Sequence, residues 1–583
     1  MFKKNNNSIP IEEVSSYMKL LEADTKKLEY LLNLSYGTLY IPYSQRPYEW
    51  KKEQVLRLFN DLYAVYANND STSTHILNFI TIRLDEEEEN KKYIYDGQQR
   101  TVTSLLLLSA LIRILKTMDF SAVDSANQLT SLYLYTYHWR DVSATNYKIV
   151  FDNPLANFML HEYVFKGEEV PESHIFSDYD KAIYENYRYI KELIQDRFGE
   201  TPKKEDIIAF IEVILERVLV IIIETSYENI AEEMFETLNS TGLQIEDFYV
   251  LKNALIRTLD EATVKPIWST IELNTDRINK NKFLHAYINV INGKTPSSDL
   301  YNRISSLKTL EDSHVALKFL DELKITSDIY MKIENPSQRT DGTQVENNRY
   351  LQSINNLSLL GANQYKPVII AMGLKNYSIS DINIVLEKII SLQLRNIFIA
   401  GYKANTLEQF YPSLAKSIYT QEVTTITEII SRISNEMIND VQLYEYFNNK
   451  TIESHKDEAI ARFLIKEIYN HQHREIIINA NARDVNLEHI LPVTPAEGSQ
   501  WLVDFPDAEQ RHVLTRKIGN LTVLLNRLNS RIKNGDFSLK KPAYLDSHIP
   551  QNQKIGNLSE WKKPNIDQRT INLYNEFINI WTK

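Results

Sequence analysis

The sequence predicts an α+β protein that is predominantly helical. Glycine and proline, which interrupt helices, number only 14 and 17 in 583 residues. Apolar residues recur at helical spacing through most of the chain between residues 262 and 470. Strand-like segments are few and lie outside that range, so helices should make up most of the structure.

The first half of the chain mixes the two kinds of element. Runs rich in Ile, Tyr and Phe favour strands, and apolar residues at a 3.6-residue period favour helices. The patterns predict helices over 11–35 and 53–66, a loop or short strand over 41–50, strands over 75–84, 92–97 and 217–226, and a buried helix over 101–118.

The later chain divides by composition. The pattern of residues 231–255 predicts two helices that are interrupted at the STG triplet. Residues 471–583 contain two short strand-like pieces and turns at NG, GN and KKP. We therefore predict three domains, over 1–260, 261–470 and 471–583.

Composition excludes several classes of protein. The chain has no cysteine, which excludes disulfide frameworks, cysteine-ligated zinc and a cysteine nucleophile. Its longest apolar run, SLLLLSALIRIL, is too short to cross a membrane and contains Arg113. The first residues lack the apolar stretch of a secretory signal. We expect a cytoplasmic protein with no membrane partner.

Charge is distributed unevenly along the chain. The net charge is -12, yet residues 511–583 hold thirteen Lys and Arg against five Asp and Glu. An acidic protein with one basic end is typical of contact with phosphate at that end, although surface lysines also cluster by chance.

The basic segment also carries residue types suited to phosphodiester hydrolysis. VNLEHILPVTP places Glu488 beside His489 at the end of an apolar strand, and IGNLTVLL follows with Asn520. A ββα-metal nuclease needs a histidine base and a divalent cation held by an acidic group and an Asn or His. Adjacent strand residues point to opposite faces, so a bend after Pro492 is needed to bring both side chains to one site.

A second constellation lies near the N-terminus. KYIYDGQQRTVTSL predicts a strand, a turn at Asp96 and Gly97, and a helix whose N-terminus offers N–H groups to an anion. Arg100 adds a guanidinium, and the Gln98 and Gln99 amides suit a base or a ribose. PYSQRPYEW adds Gln45, Arg46 and Trp50. The plain alternative is that DGQQR is only a capped helix start.

EHILP, GNL, the later LN and KNGDF…K together resemble the C-terminal nuclease of GmrSD-type proteins, a branch of the HNH (ββα-metal) superfamily. The resemblance implies that Glu488 and Asn529 bind the metal, that His489 is the base and that Asn520 orients it. It also implies that Lys540 contacts DNA phosphate. Asn526 lies three residues before Asn529 and is the competing choice.

The P-x-x-QR-x-Y-x-W piece, DGQQRTVTSL and FETLNSTGLQIEDFYVLKN resemble the DGQQR-motif domain of the same family, a ParB/sulfiredoxin-like α/β fold. The resemblance implies nucleoside triphosphate binding and hydrolysis, with GTP, ATP, CTP and UTP all open. The nucleotide-binding residues would be Gln45, Arg46, Asp96, Gly97, Gln98, Gln99 and Arg100. Asn239, Gly242 and Lys252 also match.

The two resemblances together imply a bacterial type IV restriction enzyme of anti-phage defence. It would use Mg²⁺ or Mn²⁺ and a nucleoside triphosphate to cut double-stranded phage DNA with hydroxymethylated or glucosylated cytosine. Three alternatives stay open: a phosphorothioate-sensing, NTPase-gated nickase, a nucleotide-switched DNA-binding protein without cleavage, and an RNA-directed toxin. A homodimer stays open as well, since a double-strand cut needs two sites or two successive nicks.

Overall fold

The computed structural model describes residues 21–68, 73–85, 87–138, 140–228, 230–231, 234, 247–298, 300–307, 310–472, 478 and 485–583. The chain forms two compact units. One contains Met1–Lys280 and Thr309–Leu320, and the other contains Asn281–Lys308 and Asp321–Lys583. The three-domain division at 260 and 470 stays a prediction.

The first unit combines strands and helices. Its strands are β1 (Glu22–Lys27), β2 (Thr38–Ile41), β3 (His75–Leu84), β4 (Lys91–Asp96), β5 (Tyr135–His138), β6 (Asp141–Tyr147), β7 (Ile149–Phe151) and β8 (Val218–Thr225). Its helices are α1 (Leu28–Leu32), α2 (Lys52–Ala67), α3 (Gln98–Leu115), α4 (Phe120–Tyr133), α5 (Pro154–Asn157), α6 (Lys181–Phe198), α7 (Lys204–Glu216), α8 (Asp247–Leu259) and α9 (Glu261–Asn274), with a π-helical segment at Phe158–Lys166.

A mixed sheet organises this unit. The strand order is β1-β8-β3-β4-β2-β7, and β5 pairs separately with β6. β3 and β4, both predicted as strands, pair antiparallel, whereas β2 runs parallel to both β4 and β7. The loops that follow β2, β4 and β7 carry the candidate residues of this unit.

The buried helix after β4 is confirmed, and it begins three residues earlier than predicted. Helix α3 is buried almost all round, including Gln98, Gln99 and the LLLL run. Its N-cap, Gly97, has φ of 91°, and a Cβ there would come within 2.8 Å of Ile80 Cγ1. Glycine therefore lets the chain turn sharply from strand to helix against the sheet.

The helix predicted over 11–35 is wrong at Glu22–Lys27. These residues form edge strand β1, which pairs antiparallel with β8 from Glu22 opposite Glu224 to Lys27 opposite Leu219. Pairing with the apolar β8 overrides the local helical pattern, and the polar EADTKK side chains suit an exposed edge. The helix is confirmed at Leu28–Leu32, while residues 11–20 lie outside the described part.

The second unit is mainly helical. Its helices are α10 (Lys280–Asn292), α11 (Leu300–Leu307), α12 (Ser313–Glu334), α13 (Gln344–Leu359), α14 (Lys366–Leu374), α15 (Ile379–Leu392), α16 (Phe410–Tyr419), α17 (Ile426–Asn435), α18 (Asp440–Asn449), α19 (His455–Gln472), α20 (Gln500–Asp504), α21 (Ala508–Arg516), α22 (Asn526–Ile532), α23 (Phe537–Leu545), α24 (Pro550–Gly556) and α25 (Lys563–Ile580). Helices α10 and α12 straddle the division between the units. A π-helical segment, Gln393–Ile399, follows α15.

Two short strands near the C-terminus confirm the strand-like pieces of the basic segment. β9 (Val485–His489) and β10 (Leu521–Leu525) pair antiparallel, and α22 begins directly after β10. This is a ββα arrangement. Apolar residues of the chain after β9, of β10, of the later helices and of the loop before α25 form its core, including Leu491, Leu524, Trp501, Leu528 and Trp561.

The structure confirms the α+β, mostly helical class. No helix in the described ranges is both long enough and apolar enough to cross a membrane.

Candidate functional site

Strand β9 ends on the two residues predicted to carry the chemistry. Glu488 pairs with Thr522 and His489 with Leu521 across the strands. Because neighbouring residues on a strand face opposite sides, the two side chains enter different surroundings.

The Glu488 carboxylate lies in the interior, 5% exposed. Its Oε1 accepts hydrogen bonds from Lys540 Nζ at 2.7 Å and from Tyr544 OH at 3.0 Å. Lys540 and Tyr544 are one helical turn apart on α23 and therefore share a face. Both of these side-chain hydrogen bonds fall on Oε1, and the main-chain N–H of His489 also stabilises the carboxylate.

Lys540 occupies a different place from the one predicted. Its side chain is 0% exposed, and Nζ also donates to the main-chain oxygen of His489 at 2.7 Å. Burial raises the pKa of Glu488 and lowers that of Lys540, because removal from water penalises both charged forms, while their mutual attraction opposes both shifts. An ammonium enclosed in this way fixes the end of β9 and does not face a phosphate.

The His489 imidazole makes no hydrogen bond within the described part of the chain. Burial lowers its pKa to about 4, and the positive charges of Lys540 and Arg516 act in the same direction, against Glu458. The ring is therefore neutral at pH 7, the form able to accept a proton.

Asn520 clamps the chain just beyond His489. It is fully buried, its Nδ2 donates to the oxygens of Leu491 (2.8 Å) and Thr515 (3.0 Å), and its Oδ1 accepts from Leu491 N and Trp561 Nε1. Three of these hydrogen bonds go to main-chain atoms and one goes to the core side chain of Trp561, and none of the four involves the His489 imidazole. Asn520 is thus placed as a positioning residue.

The two candidate asparagines of α22 have different surroundings. Asn526 is exposed, and its Oδ1 accepts a hydrogen bond from Asn486 on β9. The Asn529 side chain is half-buried and forms no hydrogen bond with any described residue. Asn529 is therefore the one with an amide oxygen available to another ligand.

The exposed cations of this region lie on and beside α22. Arg527, Arg531 and Lys533 flank Asn529, and all three are exposed. Arg531 is paired with Asp546 at 3.4 Å, where both side chains are in water and the pair is weak. These residues, and not Lys540, present positive charge at the surface.

In the first unit, the DGQQR turn is held by its own side chains. Arg100 donates to Asp96 Oδ2 at 2.9 Å and to the Leu77 oxygen at 3.1 Å. Gly97 caps α3 without a side-chain hydrogen bond, so the first-turn N–H groups lack the usual side-chain acceptor. The turn therefore keeps main-chain donors while its guanidinium is already engaged.

The two glutamines of DGQQR tie this turn to the PYSQRPYEW segment. Gln98 Nε2 donates to the Arg46 oxygen at 3.1 Å, and Gln99 Nε2 donates to the Pro47 oxygen at 3.0 Å. Gln99 Oε1 accepts from the main-chain nitrogens of Glu49 and Trp50. Both amides stabilise the loop and bring Arg46 next to the start of α3.

A cavity of about 490 Å³ opens beside this loop. The loop after β2, the end of β7, the segment before α6, helix α9 and the residue after its C-cap line this cavity. The polar and aromatic side chains among the lining residues include Tyr43, Gln45, Arg46, Asp152, Tyr179, Lys265, Ser269, Glu272 and Asp276. Gln45 and Arg46 are thus brought together in a cavity, whereas Asp96 and Arg100 do not line it.

Lys252 is buried against the same loop. Its Nζ donates to the Tyr43 oxygen at 2.6 Å and to Glu272 Oε1 at 3.1 Å, and it lies 3.5 Å from the centre of the Tyr43 ring. Burial lowers the pKa of Lys252, against the attraction of Glu272. Lys252 therefore holds the cavity wall in place. Asn239 and Gly242, which also matched the family pattern, lie outside the described residues.

Sequence reasoning missed several residues of both sites. Tyr544 follows Lys540 at a helical i, i+4 spacing, and this spacing indicates that the two side chains share one helix face. Trp561, Tyr179 and Glu272 reach their sites from distant parts of the chain, and no local pattern indicates them.

Comparison with protein families assigns both ends of the chain. The N-terminal domain of the GmrSD restriction endonuclease matches residues 28–256, and the C-terminal domain of the GmrSD restriction endonucleases matches residues 437–576. The chain belongs to the GmrSD restriction endonuclease family. No curated protein matches the chain at a significant level.

Membership of the GmrSD family gives the coarse function. A type IV restriction endonuclease is a hydrolase that cleaves DNA, so DNA is the substrate. The N-terminal GmrSD match includes β2, the DGQQR turn and β8, and the C-terminal match includes Glu488, His489, Asn520 and Asn529.

Proposed function

We propose that the chain is a metal-dependent, NTP-regulated endonuclease that cuts DNA carrying hydroxymethylated or glucosylated cytosine. The observation that carries the nuclease part is the end of β9. The neutral His489 imidazole has no hydrogen-bond partner among the described residues, Glu488 precedes it on the strand, and Asn529 on α22 has a side-chain amide with no partner in the same part of the chain.

His489 serves as the general base. Its neutral imidazole nitrogen accepts the proton of the water that attacks phosphorus. A pKa of about 4 makes the isolated ring a weak base. A DNA phosphate near the ring raises the pKa, since it stabilises the protonated form. Lys540 fixes the main-chain oxygen of His489 itself, and Asn520 fixes the main chain two residues later at Leu491.

The residues present fit a divalent metal. The Glu488 carboxylate and the Asn529 amide oxygen would hold Mg²⁺ or Mn²⁺. No group of three or more His, Asp or Glu side chains suited to a metal is found in the described ranges. A small number of protein ligands is enough for Mg²⁺, because this ion keeps several water ligands and also binds oxygens of the substrate phosphate. When bound, the ion stabilises negative charge on the phosphate and on the leaving oxygen.

The exposed cations of α22 support DNA binding at this end. Arg527 and Arg531 are one helical turn apart and share an exposed face of α22, with exposed Lys533 at its C-terminal end, so this helix offers positive charge to a DNA backbone. Lys540 is enclosed and takes a positioning role instead.

For the regulatory nucleotide, we infer a site at the start of α3. The uncapped first turn offers N–H groups to a phosphate, and Arg46, which the Gln98 amide holds at this turn, adds a guanidinium. Asp96 and Arg100 support the turn through their ion pair. An Arg100→Ala protein is expected to lose NTP turnover, measured with GTP, ATP, CTP and UTP, and to keep metal-dependent nicking.

The nuclease assignment is tested by cleavage of hydroxymethylated plasmid with and without Mg²⁺. Loss of a general base costs about 10²–10⁴-fold, so we expect His489→Ala to lose at least that much cleavage while it still hydrolyses NTP. His314→Ala is the matched control, since His314 is exposed near the start of α12. Cleavage by His489→Ala at the wild-type rate would overturn the assignment.

A further inference from the structure

We propose that the cavity beside Gln45 takes a single modified base flipped out of the DNA, with the Gln45 amide reading its hydrogen-bonding edge. This inference rests on the proposed function, because it names the part of the substrate that the first unit recognises. It also separates Gln45 from the nucleotide site at the start of α3.

The first observation is an unsatisfied amide. Gln45 is 8% exposed and lines the cavity, yet its side chain makes no hydrogen bond with any described residue. Gln98 and Gln99 are equally buried, and both amides are bonded. An amide that faces a cavity without a protein partner is free to pair with a ligand that has complementary donors and acceptors.

The second observation is the charge of the walls. Three carboxylates line the cavity, those of Asp152, Glu272 and Asp276, against two cations. Both cations already have acidic partners, since Lys265 pairs with Asp152 at 2.8 Å and Arg46 with Glu49 at 3.6 Å. Glu272 is itself paired with Lys252 at 3.1 Å. Such walls carry little net charge, and both lining cations are already engaged and not open to a triphosphate. They suit an uncharged ligand that donates hydrogen bonds, such as an amino group or hydroxyls.

The third observation is the shape and the aromatic content. A cavity of about 490 Å³ is within the range of small-ligand sites, roughly 300–1,000 Å³. Tyr43 and Tyr179 line it, and Tyr43 OH is held by Ser269 Oγ at 3.3 Å and Glu272 Oε2 at 3.5 Å. Aromatic side chains with a few fixed polar groups are how proteins bind extruded bases.

The test uses the full chain without divalent metal, so that DNA is bound and not cut. Duplexes contain one cytosine, hydroxymethylcytosine or glucosylated hydroxymethylcytosine, with 2-aminopurine beside it to report unstacking. We expect wild type to prefer modified duplexes and to raise the 2-aminopurine signal. Gln45→Leu should lose about tenfold in affinity for modified DNA, the effect of one good base contact, and keep its affinity for unmodified DNA.

Two further variants keep the test decisive. Ser269→Leu blocks the cavity from the exposed face of α9 without touching Gln45, and it should lose the same discrimination. Gln195→Leu, at an exposed position on α6, is the matched control and should behave as wild type. Thermal melting confirms that each variant is folded.

The outcomes separate this inference from the proposed function. If wild type discriminates and both cavity variants retain its discrimination and 2-aminopurine signal, the inference is overturned and the proposed specificity survives. If the variants instead lose NTP affinity, the cavity holds the base of the nucleotide, and the inference is again overturned. If wild type binds all duplexes equally, the inference and the proposed specificity both fail, while the nuclease assignment is judged by His489→Ala alone.

Discussion

Asn529 and Asn526 are the two candidate metal ligands on α22, and their side chains differ in hydrogen bonding. The Asn529 amide has no partner among the described residues, whereas Asn526 is bonded to Asn486. We therefore expect Asn529→Ala to need a higher Mg²⁺ concentration for cleavage, and Asn526→Ala to keep the wild-type requirement. Titration of nicking against Mg²⁺ compares the two. A dead Asn526 variant beside a healthy Asn529 variant would reverse the assignment.

Gly519, the first residue of the GNL triplet, lies where helix α25 approaches the main chain closely. A Cβ at this position would lie 2.1 Å from Thr570 Oγ1 and 2.3 Å from the Ile566 oxygen on α25. Gly519→Ala is expected to destabilise the protein by about 1–3 kcal/mol, the usual cost of overpacking, because helix backbone must move. Denaturant unfolding measures this, and an unchanged midpoint would contradict the close approach of α25.

At the scale of elements, His161 joins the π-helical segment to the neighbouring strands. Its Nε2 is 2.7 Å from the Ile149 oxygen, and its ring stacks on Tyr147 at 3.7 Å. Burial lowers its pKa to about 4, and the positive charge of Lys166 adds to this, while the bond to Ile149 and the charge of Glu162 oppose it. The folded state therefore keeps this histidine neutral in mildly acidic solution.

Stability should depend on pH through this histidine. The unfolded chain binds the proton below a pKa of about 6.5, so between about pH 4 and 6.5 it binds more protons than the folded state. The contribution of His161 is fully present above that window and is lost as pH falls, by at most about 3 kcal/mol. As pH falls from 7 to 4.5, the melting temperature should fall less steeply for His161→Gln than for wild type. Equal slopes would show that His161 titrates normally.

Helix α22 is the element expected to hold the DNA backbone. Each phosphate contact contributes about one counterion to the salt dependence of binding. Arg527→Ala and Lys533→Ala should each lower the slope of log affinity against log salt by about 1 and weaken binding to all sequences alike. Lys416→Ala, an exposed lysine on α16, is the control. Unchanged slopes for both α22 variants would remove this helix from the interface.

For the whole molecule, sequence patterns predicted the class and most elements, because helical periodicity and apolar strands are local signals. They were wrong at Glu22–Lys27, where pairing with β8 decides the structure. The family resemblance implied that Lys540 contacts DNA phosphate, whereas its side chain is buried against Glu488, a partner 52 residues away that no local pattern indicates. The cavity beside Gln45 escaped prediction for the same reason, since α9 supplies much of its wall.

The central claim is that one chain restricts modified DNA through His489. Its most direct measurement is the plating efficiency of phages with and without modified cytosine on bacteria that express wild type or His489→Ala. The account predicts strong loss of plaques only for modified phage on wild type. Equal restriction by His489→Ala, or equal restriction of unmodified phage by wild type, would contradict it.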